Sequence, residues 1–331
     1  MEKRFLIILS LLLTAWVMPA QVTRIGIIGL DTSHSTAFTR LINTHEIGDG
    51  EFEVVAAYPY GSRTIESAYS RIPKYTEEVQ GYGVKIVSSI DELLKMVDCV
   101  FLETNDGNVH LEQAAEVFKA GKKIYIDKPV GATLAQAIAI YELADRYGVT
   151  TFSSSAVRFT TLNQEIRNGK YGAILGADTF SPHHPEPSHP DFGYYGMHGV
   201  EELYTVMGTG CKEVSRVHTD SGDVVSGVWK DGRLGSFRAI YDGTGGYGGR
   251  VLTKEGMKLT GGYTGYQPLL AEILKFFRTG ICPVDKEETL ELFTFMEASN
   301  LSLEKGGKTI PLETIRIKAE KEARKLLKAI K

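Results

Sequence analysis

Cysteine is scarce in this chain: Cys99, Cys211 and Cys282 stand far apart with no C-x-x-C spacing, which excludes a zinc knuckle or a dense disulfide framework and allows at most one bridge. A dominant charge is lacking too. With 37 Lys+Arg against 41 Asp+Glu the formal charge is −4, so no basic excess exists to hold nucleic acid. The longest apolar run, residues 5–18, is too short to cross a bilayer comfortably. It follows a cationic start, MEKR, and precedes Pro19-Ala20, the pattern of a signal peptide cleaved after Ala20. The start is not twin-arginine, and no cysteine follows the cleavage point to take a lipid. The mature chain is expected in the periplasm or outside the cell, without a stable membrane span.

Most of a phosphate fingerprint is missing as well. Residues 22–34, VTRIGIIGLDTSH, read as a buried strand turning sharply into a helix. Of the three glycines in G-x-G-x-x-G only Gly29 is present, because Asp31 and His34 occupy the other two positions. A carboxylate at 31 would crowd and repel a pyrophosphate unless protonated or turned away. Asp31 is also a good N-cap for a helix beginning at Thr32 and Ser33.

At 331 residues and 43% hydrophobic, the chain has enough apolar material for two ordinary cores. From residue 21 to 151, strand-like segments (IGIIG, FEVVAAY, KIVSS, CVFLET, KIYIDK, TTFSSS) alternate with helical ones. Ser89 and Glu92 form a capping box, Gly121 ends one helix, and Gly148 closes another over 134–147. After Phe159 glycine-rich hairpins appear, with Asp231-Gly232 a strong turn, followed by helices over 267–277, 287–302 and 315–331. The last is amphipathic with a basic face, as a surface helix lying against the body would be. The fold class is therefore α/β: an N-terminal Rossmann-type doubly wound parallel sheet (21–151) plus a C-terminal α+β domain (152–331) with a largely antiparallel open sheet. That open sheet could pack on another copy, so a homo-oligomer stays open.

Several segments, in order, resemble the Gfo/Idh/MocA family of sugar and cyclitol oxidoreductases: GIIGL at 26–30, ETNDGNVH at 103–110, IYIDKPV at 124–130 and GMHGVEELYTVMG at 196–208. FFRTGICPV and the helix ending at Ser302 are similar to its closing segments. The resemblance implies that Lys128 reaches the nicotinamide ribose and the reacting carbon, and that Pro129 shapes the chain beside the cofactor. It makes His198 the acid/base residue, lines the cofactor with Asn105 and His110, and puts Arg158 at the mouth of the site. Histidine titrates near neutrality and a lysine charge favours a developing alkoxide, which suits that chemistry. Read from their types alone, Lys128 could instead be a solvated turn residue, His198 a hydrogen-bonded structural histidine and His110 a helix-start residue.

The phosphate loop would comprise Gly29, Asp31, Thr32, Ser33 and His34. No acid closes the second strand to bind a ribose 2′-hydroxyl, whereas Ser62 and Arg63 could meet a 2′-phosphate, or Arg63 could be a solvated charge; the cofactor is NADP or NAD. Tyr194 stands where the family often has an aspartate and could hydrogen-bond a sugar hydroxyl, while Glu201, one helical turn after His198, could orient the imidazole. His183, His184 and His189 match no standard zinc spacing, and no metal site is expected.

Two functions compete. The first is an exported NAD(P)-dependent oxidoreductase acting on a carbohydrate-like hydroxyl or keto group, with Lys128 and His198 as the working pair. Because free dinucleotide is scarce outside the cytoplasm, its cofactor would be held tightly and recycled, which also admits a redox-neutral glycosidase or lyase cycle. The second is a carbohydrate-binding protein that keeps the cleft without redox chemistry, suggested by Asp31, His34 and Tyr194.

Overall fold

The structure, a computed structural model, describes residues 22–242 and 245–330. Residues 1–20, the segment expected to be a signal peptide, lie outside them.

Six strands form the first sheet: β1 (Thr23–Ile28), β2 (Phe52–Tyr58), β3 (Lys85–Ile86), β4 (Cys99–Leu102), β5 (Lys123–Ile126) and β6 (Thr151–Phe152). All pair in parallel in the order β3-β2-β1-β4-β5-β6, so the chain reverses its direction of travel between β1 and β4. In such a sheet ligands bind beyond the carboxyl ends of the strands at that reversal.

Strand period two explains the covering of both faces. Ile28, Val100, Leu102, Ile124 and Ile126 pack with helices Gly107–Lys119 and Leu134–Tyr147. Ile25, Ile27, Phe101 and Tyr125 pack on the other side with helix Ser33–Asn43 and, from far along the chain, helix Gln267–Thr279. Helix Leu134–Tyr147 begins with a full capping box, Thr133 with Gln136, and ends at Gly148 in the left-handed region. At Ser89 only half of the expected box forms: its side chain accepts from the Glu92 N–H, but the Glu92 carboxylate turns to Ser88.

The second sheet contains β7 (Ile174–Pro182), β8 (Cys211–Thr219), β9 (Gly222–Trp229), β10 (Leu234–Ile240), β11 (Gly248–Thr253), β12 (Gly256–Leu259) and β13 (Ile310–Pro311). Its order is β12-β11-β7-β10-β9-β8-β13, antiparallel except for β7 with β10. One face is covered by helices Met197–Met207 and Lys286–Glu304, with Trp229 and Phe295 around Tyr204 in the seam. The other face carries exposed Val217, Leu234, Leu252, Met257 and Leu259.

Helix Leu312–Ala329 lays Ile315, Ala319, Ala323 and Leu327 against helix Leu134–Tyr147, so its apolar stripe joins the two sheets. Cys99, Cys211 and Cys282 are free thiols. Among the described residues no helix is long and apolar enough to cross a membrane.

Gly29 ends β1 at φ +89°, and a Cβ there would lie 2.6 Å from the Thr104 backbone nitrogen. Both the backbone angle and the lack of space require glycine. Gly29→Ala is expected to cost about 3 kcal/mol of stability, from strain plus overpacking, read as a fall in the urea midpoint at unchanged m-value.

Candidate active site

A cleft of about 220 Å3 opens at the carboxyl edge of the first sheet, where the second domain leans over it. That is below the ~300–1,000 Å3 of pockets that enclose a drug-sized ligand, and suits one ring-sized ligand. Thr32, Ser33 and His34 reach it from the loop after β1 and the start of the first helix, and Lys128 from the turn after β5. His198 and Tyr195 come from the start of helix Met197–Met207, Ser155 from the bend after β6, and Tyr247, Tyr263 and Tyr266 from the second domain's loops.

His198 is half-buried, and burial, reinforced by the Lys128 charge, pushes its pKa well below the ordinary histidine value. It is a neutral imidazole near pH 7. Its Nδ1 lies 2.7 Å from Ser155 Oγ. The hydroxyl can accept from Nδ1–H or donate to a bare Nδ1, so it serves either tautomer and lets Nε2 act as base or acid.

Ser155 is held in turn. Strand pairing stops at Phe152, and the three serines expected to continue it bend into a short 3-10 helix, Ala156–Phe159. There Glu201 accepts from the Ser155 backbone N–H at 2.9 Å and from Ser154 Oγ. Glu201 therefore positions the serine and does not orient the imidazole directly. Arg158, expected at the mouth of the site, is 1% exposed. Its Nε donates to Glu201 at 2.8 Å and its Nη1 to Glu288 at 2.5 Å, with Arg167 pairing the far oxygen of Glu288.

Asp31 does not cap the first helix. Thr32 does, its hydroxyl accepting from the His34 N–H at 3.0 Å. The Asp31 carboxylate is fully buried and accepts from the backbone N–H of Ser62 (2.6 Å) and Asn105 (2.9 Å). Burial, partly offset by those donors, lifts its pKa to about 6.

Ser62 is buried as well, its hydroxyl donating to Asp106, and it is no ligand of the cleft. Arg63 is exposed away from the cleft, whereas Arg71, which sequence reasoning passed over, lines it. His110 is wholly buried, with Nε2 2.7 Å from the Thr104 carbonyl and Nδ1 3.3 Å from that of Val130, so it pins two loops and touches no cofactor space. Pro129 is buried behind Lys128, across a cis peptide bond.

Asn105 lines the cleft and its Nδ2 donates to Tyr194 Oη at 2.5 Å. His34 fills the space the third glycine would leave open. Its ring stacks on Phe38 and meets the edge of Tyr266, with Nδ1 2.9 Å from Asp127. Burial opposes charge on His34, but Asp127 and Glu103 outweigh it and raise its pKa to about 10. His183 pairs with Asp191 and His189 accepts from the Gly107 N–H, so these loop histidines do not converge on a shared ligand position.

The sequence profile described as "Oxidoreductase family, NAD-binding Rossmann fold" matches residues 23–155. Through this domain the chain is similar to the Gfo/Idh/MocA oxidoreductases. An oxidoreductase of Escherichia coli (strain K12), YhhX, whose name calls it uncharacterized, is 27% identical over 187 residues. That match covers 51% of this chain and 54% of YhhX, so it spans about half the length of that relative. A probable dehydrogenase from Thermotoga maritima superposes with a TM-score of 0.68 at 20% identity, covering 88% of this chain and 99% of its own. A scyllo-inositol dehydrogenase from Lactobacillus casei, solved with NAD(H) and scyllo-inositol, gives 0.68 at 15% identity, over 88% and 100%. At these identities the two structures establish the shared fold.

Against a nicotinamide dinucleotide, the nicotinamide and phosphate half of the cleft fits: a helix start at Thr32 and Ser33, the cations of Arg71 and Lys128, and His198. The adenosine half would lie beyond β2, beside the segment that follows that strand. Residues 59–68 of that segment are tied by Asp31 and by the packing of Ile65 and Ala68 on Tyr194.

His198 is expected to stay neutral at pH 6 in an NMR titration. Lys128→Met should raise its pKa while leaving it below the ordinary value, since burial outweighs the lysine charge.

Proposed function

We propose that the protein is an exported NAD(P)-dependent oxidoreductase acting on a hydroxyl or keto group of a sugar or cyclitol. The observation that carries this reading is the meeting of Lys128 with a neutral His198 in one tyrosine-lined cleft, at the reversal point of an NAD-binding Rossmann sheet. The scyllo-inositol dehydrogenase neighbour supports the substrate class. Export rests on the leader sequence.

When bound, the nicotinamide supplies hydride chemistry at the substrate carbon. His198 takes the hydroxyl proton in oxidation and returns it in reduction, a role contributing typically ~10²–10⁴-fold. Ser155 keeps the imidazole aimed through either proton state, and Lys128 stabilises negative charge on the reacting oxygen. The tyrosines offer ring faces to the sugar's C–H surface and hydroxyls to its oxygens, and the Arg71 guanidinium would bind phosphate oxygens. With Ser62 buried and Arg63 exposed, neither residue offered for a 2′-phosphate lines the cleft, and the reading holds for NAD and NADP alike.

The buried Asp31 carboxylate, standing where a glycine would meet the pyrophosphate and tied to Ser62 and Asn105, favours a second reading, a carbohydrate-binding protein without turnover. The two separate experimentally. Under the first, Lys128→Ala and His198→Ala each lower kcat by about 10²-fold or more while sugar affinity changes little, followed by nicotinamide absorbance across a panel of sugars and cyclitols. Sugar binding with no calorimetric affinity for NAD or NADP would leave only the second.

Asp31 adds a pH test. Below about 6 its carboxyl is neutral and holds residues 59–68 less firmly, so dinucleotide affinity should tighten between pH 8 and pH 5.5. Asp31→Gly should tighten it on the order of tenfold at pH 8 and flatten that dependence.

The open face bearing Val217, Leu234, Met257 and Leu259 is where a second copy would pack. Leu259→Glu is expected to shift sedimentation toward the monomer.

A further inference from the structure

Behind the cleft three side chains converge that the proposed reaction does not use. His34 stands in the first turn of helix Ser33–Asn43, Glu103 follows β4 and Asp127 follows β5. One ligand atom from each lies within 4.8 Å of the other two. His34 Nδ1 is 2.9 Å from Asp127 Oδ1 and 3.6 Å from Glu103 Oε2, with both carboxylates fully buried.

A second observation, independent of the spacing, points to a ligand. Glu103 Oε1 and Asp127 Oδ2 are buried without a hydrogen-bond partner, and Glu103 Oε2 has only the His34 imidazole 3.6 Å away. A buried carboxylate with unpaired oxygens carries a heavy desolvation penalty unless a cation meets it. One imidazolium balances one of the two negative charges, and without a bound ion only protonation of Glu103, whose pKa burial lifts to about 7, relieves the other. The backbone also holds the trio ready: the Lys128 N–H fixes Asp127 Oδ1 at 2.8 Å, and Phe38 and Tyr266 lock the His34 ring.

We propose that His34, Glu103 and Asp127 bind one divalent transition ion of the zinc, iron(II) or manganese class. A neutral imidazole and two carboxylates match a double positive charge, and the nitrogen ligand disfavours magnesium and calcium. Bonds of about 2.0–2.2 Å to nitrogen and oxygen put neighbouring ligand atoms roughly 3–3.5 Å apart, so the 2.9 Å and 3.6 Å separations from His34 Nδ1 need only small shifts. Three protein ligands leave coordination positions free for water, the arrangement of a reactive site. Binding displaces the proton shared by His34 and Asp127, so it releases protons and strengthens with pH. Behind the wall of the cleft, the ion would add positive charge near the reacting oxygen.

The test needs neither nicotinamide nor sugar. The full chain, stripped with a chelator, is titrated with Co2+ while the visible d–d bands are followed, then with Zn2+ and Mn2+ against a chromogenic chelator. One ion per chain is expected, with a cobalt spectrum of mixed nitrogen and oxygen ligation and a rise in Tm on loading. Glu103→Gln, which keeps the shape, should weaken Zn2+ by at least about 100-fold, and His34→Gln should abolish the cobalt bands. Wild-type protein that develops no bands and retains no zinc overturns the proposal, as does Glu103→Gln binding zinc like the wild type. Should both variants fail to fold, the wild-type cobalt spectrum and zinc stoichiometry decide alone.

Discussion

Asp31 accepts from the backbone N–H of Ser62 and of Asn105, and in doing so one buried carboxylate ties the loop after β1 to the loops after β2 and β4. Those loops flank the reversal point of the parallel sheet, where the fold leaves a crevice by topology. Because Asp31 draws residues 59–68 inward, Ile65 and Ala68 reach Tyr194 and the second domain closes against the first at that point. The remaining opening is small and centred on Lys128 and His198.

On the other side of the cleft the organising charge is Arg158. Two carboxylates, Glu201 and Glu288, hold it in a dry interior, and Arg167 balances the second. Such a network is unforgiving, since removing one partner strands a buried charge at a cost of about 3–5 kcal/mol. Its product is geometric. Glu201 pins the backbone of Ser155, Ser155 meets His198 Nδ1, and the imidazole faces the cleft with its proton free to sit on either nitrogen. A histidine and a serine more than 40 residues apart are thus aligned by an arginine that never touches the cleft.

The fold was largely legible because its signals are local. Alternating apolar segments located all six strands of the first sheet, and glycines 121 and 148 marked helix ends, since stop signals and side-chain periodicity act over a few residues. Lys128, His198, Asn105 and Tyr194, singled out by the family resemblance of their motifs, all line the one cleft. Asp31, Ser62, His110, Arg158 and Glu201 were misplaced for one shared reason. Each is polar, lies near the site in sequence, and satisfies its bonding inward on partners that no local pattern reveals. Arg71, Ser155, Tyr247, Tyr263 and Tyr266 were missed because tyrosines and serines in loops look alike whether they face water or a ligand. The repeated G-Y pairs around 246–266 were the one available signal.

What the sequence by itself determined is the order of strands and helices and the glycine turn after β1, because hydrophobic period and backbone freedom are properties of short segments; the lysine and histidine of the cleft were picked out only by the family resemblance of their motifs. Which polar groups face the cleft, which are sealed into ion pairs, and how far the dinucleotide crevice stands open were decided only by the tertiary structure. Those outcomes depend on desolvation and pairing between residues such as Arg158 and Glu288, 130 positions apart, which become neighbours only when two sheets and the helices between them pack together.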